Sequence, residues 1–189
     1  MMPFLVPFAC GLVAPAGVAA WGRWRRWPLG VTTARVALAG YLALLLAMTL
    51  TASPFRAGAG VVAAEPTRLA ALAGHLNLVP LRSIARYLTA SWPVARTELL
   101  GNIAAFVPFG MLFPLACGRR PRWWQVLAAG AALSIGIELA QFALVPARVA
   151  DVDDVLLNAI GVTIGFACAA GLATRGRAAR RGAIAAEQQ

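Results

Sequence analysis

Five apolar runs, at about 3–21, 35–53, 98–117, 123–145 and 154–174, give this chain its frame. Each is close to the roughly 20 residues an α-helix needs to cross the hydrocarbon core of a bilayer. The plainest is the second, uncharged from Val36 to Phe55. No stretch alternates apolar and polar residues as a strand would. In lipid, backbone groups must be satisfied within the chain itself, so such runs predict helices. The expected fold is all-α: a polytopic membrane helix bundle of about five transmembrane helices. Segment 54–97 interrupts the runs and predicts an external cap of short helices. In it, 63–76 is Ala/Leu-rich and reads as a short interfacial helix. His75-Leu-Asn77-Leu-Val-Pro80-Leu reads as a turn, and 82–89 as a second short amphipathic stretch. Residues 182–189 read as a frayed end, and no internal repeat is visible.

Polar positions are scarce, and those that matter fall within about 60 residues. They are Glu98-x-x-x-Asn102, Ser134-x-x-x-Glu138-x-x-Gln141, and Arg148-x-x-Asp151-x-Asp153-Asp154-x-x-x-Asn158. Ser134, Glu138 and Gln141 stand at i, i+4, i+7; Asp151, Asp154 and Asn158 at i, i+3, i+7; Glu98 and Asn102 at i, i+4. Each set occupies one helix face. The predicted order of spans brings them to one depth. Glu98 and Asn102 open the third span, Glu138 and Gln141 close the fourth, and Asn158 lies one turn into the fifth. Glu138 then sits roughly 10 Å below Val145. Ionisable groups at such depth are costly and usually face a protein interior or cavity, where they carry function. Asn102, Glu138, Gln141, Arg148, Asp154 and Asn158 are therefore expected to approach one another and line one pocket.

Structural roles compete with this reading. Asp153 or Asp154 is placed to cap the fifth span, Arg148 to pair with Asp151, and Asn102 and Asn158 to hydrogen-bond between helices. Glu138 is the hardest to treat so, because a carboxylate this deep must be protonated, paired or hydrated. Asp151, Asp153 and Asp154 are weak candidates for a hard divalent cation. Gly161-x-x-x-Gly165 permits close helix packing, while Pro108 and Pro114 should kink the third span.

Composition agrees with a membrane protein. The chain is 60% hydrophobic and 13% charged, with a mean hydropathy of +0.73. Its net charge of +10 comes from 17 arginines and no lysine. They cluster between apolar runs, which fits anionic lipid headgroups and cytoplasmic loops rather than nucleic acid. Arg23, Arg25, Arg26 and Arg35, then Arg119, Arg120 and Arg122, then Arg175, Arg177, Arg180 and Arg181 mark three cytoplasmic ends. The N-terminus is then outside, the C-terminus cytoplasmic, and 146–153 outside, as is 54–97, whose five arginines are the one discordant count in a loop long enough to weaken the rule. Arginines follow the first run instead of preceding it, so it reads as a retained anchor rather than a signal peptide. Residues 1–30 form this additional anchor and a basic loop, 31–174 the membrane domain, and 175–189 a basic cytoplasmic tail. Cys10, Cys117 and Cys168 are dispersed among apolar residues and His75 is alone, which argues against a disulfide framework or a zinc site. No cofactor is expected.

The succession Asn77-Leu-Val-Pro80, Glu98-Leu-Leu-Gly-Asn102-Ile-Ala-Ala-Phe106-Val-Pro108-Phe-Gly110, Glu138-Leu-Ala-Gln141 and Arg148-x-x-Asp151-Val-Asp153-Asp154-Val-Leu-Leu-Asn158-Ala-Ile-Gly161 resembles the VanZ-like family. With the preceding apolar run, the resemblance covers spans two to five and leaves the first as an addition. The family consists of small bacterial integral membrane proteins, named for a teicoplanin-resistance protein, with no established biochemical activity. The resemblance implies an envelope role at the bacterial plasma membrane and, in some members, glycopeptide tolerance.

Three functional classes follow. The first is a non-enzymatic binder of a lipid-linked cell-wall component or of the glycopeptide, with membrane lipids around it. The second is a membrane enzyme acting on a lipid headgroup, with Glu138 as general acid/base and Arg148 steering an anion. The third is an ion-coupled transporter, which five spans without an inverted repeat disfavour.

Overall fold

The computed structural model describes residues 5–50, 76–89, 96–144 and 150–187. Among these, helices dominate: α1 (Leu5–Trp24), α2 (Leu29–Leu50), α3 (Arg82–Thr89), α4 (Gly101–Ala116), α5 (Trp123–Leu144) and α6 (Val152–Glu187). A single π-helical turn, Arg96–Leu100, leads into α4. Two two-residue strands, β1 (Leu76–Asn77) and β2 (Ala150–Asp151), pair in parallel, Leu76 opposite Ala150 and Asn77 opposite Asp151. Periodicity could not announce a strand of two residues, so this pairing is an addition to the expected all-α fold. Among the described residues, three helices are long and apolar enough to cross a membrane: α2, α5 and α6 through Ala186. At 16 residues α4 is shorter, spanning about 24 Å against about 30 Å of hydrocarbon. The third apolar run is thus divided between the π-helical turn and α4.

The helix ends follow from local chemistry. At the end of α1, the Trp27 N–H donates to the Gly22 carbonyl at 3.0 Å and the Arg26 N–H to that of Arg23 at 3.2 Å. This is the Schellman closure, with Arg26 at φ 53° where glycine is usual. Gly118, at φ 66°, takes the corresponding left-handed position after α4. At the start of α5 the Gln125 side-chain oxygen accepts from the Arg122 N–H at 2.9 Å, one half of a capping box.

α4 lies at the centre, packed on α6, α2 and α5, while α1 lies along α2. The core joins Leu45 of α2, Phe106 and Phe109 of α4, Val126 and Ile137 of α5, and Val162 of α6. The tightest contact is α4 on α6. A Cβ at Gly161 would stand 2.2 Å from the Ile103 oxygen, one at Gly165 2.1 Å from the Val107 oxygen, and one at Gly110 2.2 Å from the Val162 oxygen. Lipid tails are as apolar as side chains, so membrane helices associate through such close backbone approach rather than by leaving water. The Gly161-x-x-x-Gly165 pair therefore seats α4.

α4 stays α-helical through both Pro108 and Pro114. Pro108 cannot donate to the carbonyl four residues back. The adjacent Ala105 carbonyl accepts from the Tyr41 hydroxyl at 2.6 Å, a contact that ties α2 to α4. At the far end of α4 the Arg35 Nε donates to the Ala116 carbonyl at 2.7 Å, and its guanidinium sits 3.8 Å from the Trp27 ring centre. The last helix continues to Glu187, 36 residues or about 54 Å. That corrects the reading of 182–189 as a frayed end through residue 187, because alanine and arginine are strong helix formers. His75 and the helix expected over 63–76 lie outside the described residues, save Leu76 in β1.

Candidate functional site

One end of the bundle gathers the last turns of α2 and α5, the first turns of α4 and α6, the β1–β2 pair and α3. The arginine-bearing turn after α4 lies at the opposite end of α5 from β2. Most of the predicted polar residues meet at the first end, largely as pairs. The Asn102 Nδ2 donates to Asp154 Oδ1 at 2.6 Å, joining α4 to α6. The Asn158 Nδ2 donates to Ser134 Oγ at 2.8 Å, joining α6 to α5. The Gln141 Nε2 donates to the Thr49 carbonyl at 2.8 Å, joining α5 to the last turn of α2. Glu138, 7% exposed, accepts the Asp151 N–H on Oε2 at 3.2 Å.

Asp151 and Asp153 hold the segment 76–89 against the bundle. Asp151 Oδ1 accepts from the Asn77 Nδ2 and from the Asp153 N–H, both at 2.9 Å. The second of these is the N-cap of α6. Sequence reasoning assigned that cap to Asp153 or Asp154, and the structure gives it to Asp151. Asp153, fully buried, caps a different helix. Its Oδ1 accepts from the Leu81 N–H at 2.6 Å, and its Oδ2 from those of Ser83 and Ile84 at 2.7 and 3.1 Å. Leu81 stands at φ 67°, an uncommon conformation for a side-chain-bearing residue, and this carboxylate receives its N–H.

Ser83 is the hub that sequence reasoning missed. Its hydroxyl donates to Asp151 Oδ2 and accepts from the Asn77 Nδ2 at 3.0 Å and the Arg86 guanidinium at 2.7 Å. One donor and two acceptors are all a hydroxyl has. Ser83-x-x-Arg86 shares one face of the amphipathic stretch, a spacing visible in the chain but without a named partner.

Arg148 and the side chain of Glu98 lie outside the described residues. The carboxylates of Asp151, Asp153 and Asp154 each meet a different set of donors. Among the described residues, no group of three His, Cys, Asp or Glu side chains is placed to hold a metal ion. Three buried atoms accept no hydrogen bond among the described residues: Asn77 Oδ1, Gln141 Oε1 and Asn158 Oδ1. All three are amide oxygens whose own NH2 groups are engaged within the bundle.

A family model described as VanZ/LLP1 matches residues 38–173. The chain belongs to the VanZ-like family. The VanZ match begins inside α2, ends inside α6 and so contains every residue of the polar cluster. Comparison with curated proteins gave no match, and comparison with solved structures gave none either. The VanZ assignment and the three long apolar helices identify a membrane protein.

Proposed function

We propose that this VanZ-like chain is a multi-pass protein of the bacterial plasma membrane, with its N-terminus outside and its C-terminus in the cytoplasm. Its polar cluster holds the polar headgroup of an extracytoplasmic ligand at the outer membrane boundary. The ligand class is a lipid-linked cell-wall component or a glycopeptide, with membrane lipids as the surrounding partner, and glycopeptide tolerance is one consequence of holding it. The arginine clusters at the opposite end of the bundle support the orientation, with Arg82, Arg86 and Arg96 the exceptions at the end of the polar cluster.

The observation that carries the reading is the set of unspent acceptors on Asn77, Gln141 and Asn158. A buried polar atom without a partner costs about 1–3 kcal/mol, and a bound molecule bearing N–H or O–H groups removes that cost. A second reading, chemistry on a lipid headgroup, draws on the burial of Glu138, a carboxylate held away from bulk water where it could exchange a proton with a bound headgroup. Ser83 adds no nucleophile to it, since its hydroxyl is fully spent.

The test is a deletion strain complemented with the wild-type gene or with Glu138→Gln. A glutamine oxygen still accepts from the Asp151 N–H, so the variant should accumulate in membranes as the wild type does. Untargeted lipidomics and glycopeptide susceptibility should nevertheless resemble the deletion. Loss of accumulation would make Glu138 structural and refute its role at a site.

A further inference from the structure

A groove at the other end of the bundle plays no part in the polar cluster. It runs between α5 and α6 and is lined by Trp123, Val126, Leu127, Val162, Thr163 and Phe166. Val126 and Val162 are buried, while Trp123 and Thr163 are exposed. The Thr163 hydroxyl is spent within its own helix, donating to the Ala159 carbonyl at 2.9 Å. The groove therefore presents an almost wholly apolar surface, which in a membrane seats an acyl chain. What stands at its mouth decides which lipid the chain belongs to.

Two contacts fix the register of the walls. Ser134 is bonded to Asn158 and Gly130 lies against Val162, so four residues back along α5 match four forward along α6. Continued to the start of α5, this register brings Trp123 level with about Ala169. Arg122 precedes Trp123 directly and is exposed. On α6, Arg177 follows Phe166 by eleven residues, three helical turns, and so stands on the groove's own face. Its Nε donates to the Ala173 carbonyl at 3.2 Å. That bond bends the side chain back toward the groove and leaves both terminal nitrogens for another partner. Both arginines thus reach to within about 6 Å of rise of the groove's mouth.

No carboxylate among the described side chains stands at this end, since Glu138, Asp151, Asp153 and Asp154 all lie at the other. The next acidic residue in the chain is Glu187, ten residues past Arg177 or about 15 Å farther along the helix. A guanidinium presents a planar fork that matches phosphate oxygens. Exposed Trp123 and Trp124 set the level of the membrane interface here, where the phosphate of a lipid lies.

We infer that the α5–α6 groove is a binding site for an anionic phospholipid, its acyl chain along Trp123, Leu127 and Phe166 and its phosphate between Arg122 and Arg177. In the proposed orientation this lipid belongs to the inner leaflet. The site is independent of whatever the polar cluster holds.

The experiment measures binding by native mass spectrometry on the purified full chain in neutral detergent. The probes are phosphatidylglycerol, phosphatidylethanolamine and phosphatidylcholine of one chain length, with glycerol 3-phosphate as a soluble competitor. Phosphatidylglycerol should bind about tenfold more tightly than either zwitterionic lipid, roughly what two arginines contribute at an anionic surface. Glycerol 3-phosphate should not displace it. Arg122→Gln with Arg177→Gln should erase the preference. Arg23→Gln with Arg25→Gln removes the same charge from the α1 end and should leave it intact. Thr163→Trp fills the groove without touching charge and should weaken phosphatidylglycerol binding severalfold. Equal losses in the two double variants would reduce the effect to diffuse attraction and overturn the site. Undiminished binding in Thr163→Trp, or displacement by glycerol 3-phosphate, would overturn the acyl seat and with it the lipid. Gln141→Met should keep the preference, so failure here and failure of the polar-cluster reading are told apart.

Discussion

Asp153 shows how much one side chain can hold. Buried and charged, it accepts three backbone N–H groups from residues about 70 positions earlier in the chain. Hydrogen bonds to a charged group contribute about 1.5–3 kcal/mol each, and losing a cap costs about 1 kcal/mol. Asp153→Ala should therefore loosen α3 by about 2–4 kcal/mol, given partial replacement by water. Hydrogen exchange at the Leu81, Ser83 and Ile84 amides reads this directly. Unchanged protection there would show that Asn77 and Ser83 hold the segment without it. The sequence carries the carboxylates and the start of the last helix, and both were readable as Asp151-x-Asp153-Asp154. Which carboxylate caps which helix was not readable, because the N–H groups Asp153 serves come from a turn distant in sequence. Ser83 was hidden for the same reason: a serine's value as a hub depends on what lies across from it.

Among the elements, the α4–α6 pair decides whether the cluster forms at all, since Asn102 reaches Asp154 only when these helices touch. Gly165→Leu would drive a side chain into the Val107 carbonyl, 2.1 Å from the first added carbon. Backbone cannot yield as a flexible side chain does, so the substitution should cost at least the 1–3 kcal/mol typical of overpacking. A fall in thermal midpoint in detergent is expected, together with weakened contact between Asn102 and Asp154. Gly136→Ala is the control, since a Cβ there meets nothing within 4 Å and the midpoint should hold. A midpoint that falls equally in both variants would show that close approach at Gly165 does not explain the loss, since both substitutions raise helix propensity. The small-residue motif was legible from its spacing, but its partner Gly110 was not. The β1–β2 pair escaped prediction because two residues carry no period.

At the scale of the molecule, the acidic cluster lies at one end of the bundle, with Arg82, Arg86 and Arg96 at the same end. Arg35 and the arginines after α4 mark one end, while Glu138 and the aspartates mark the other. The proposed orientation puts the acidic end outside. In a variant lacking Cys10, Cys117 and Cys168, a cysteine replacing exposed Leu78 should react with an impermeant maleimide in intact cells. One replacing exposed Arg120 should react only after permeabilisation. The reverse pattern would invert the topology and place the cluster in the cytoplasm. The central claim, that the cluster holds a ligand beyond tying helices together, is tested most directly by what travels with the protein. The full chain and its Gln141→Met variant would be purified from native membranes, and their co-purifying small molecules identified by untargeted mass spectrometry. An amphiphile with a polar headgroup should be retained by the wild type and depleted in a variant that accumulates normally. An identical set of molecules from both proteins would contradict it.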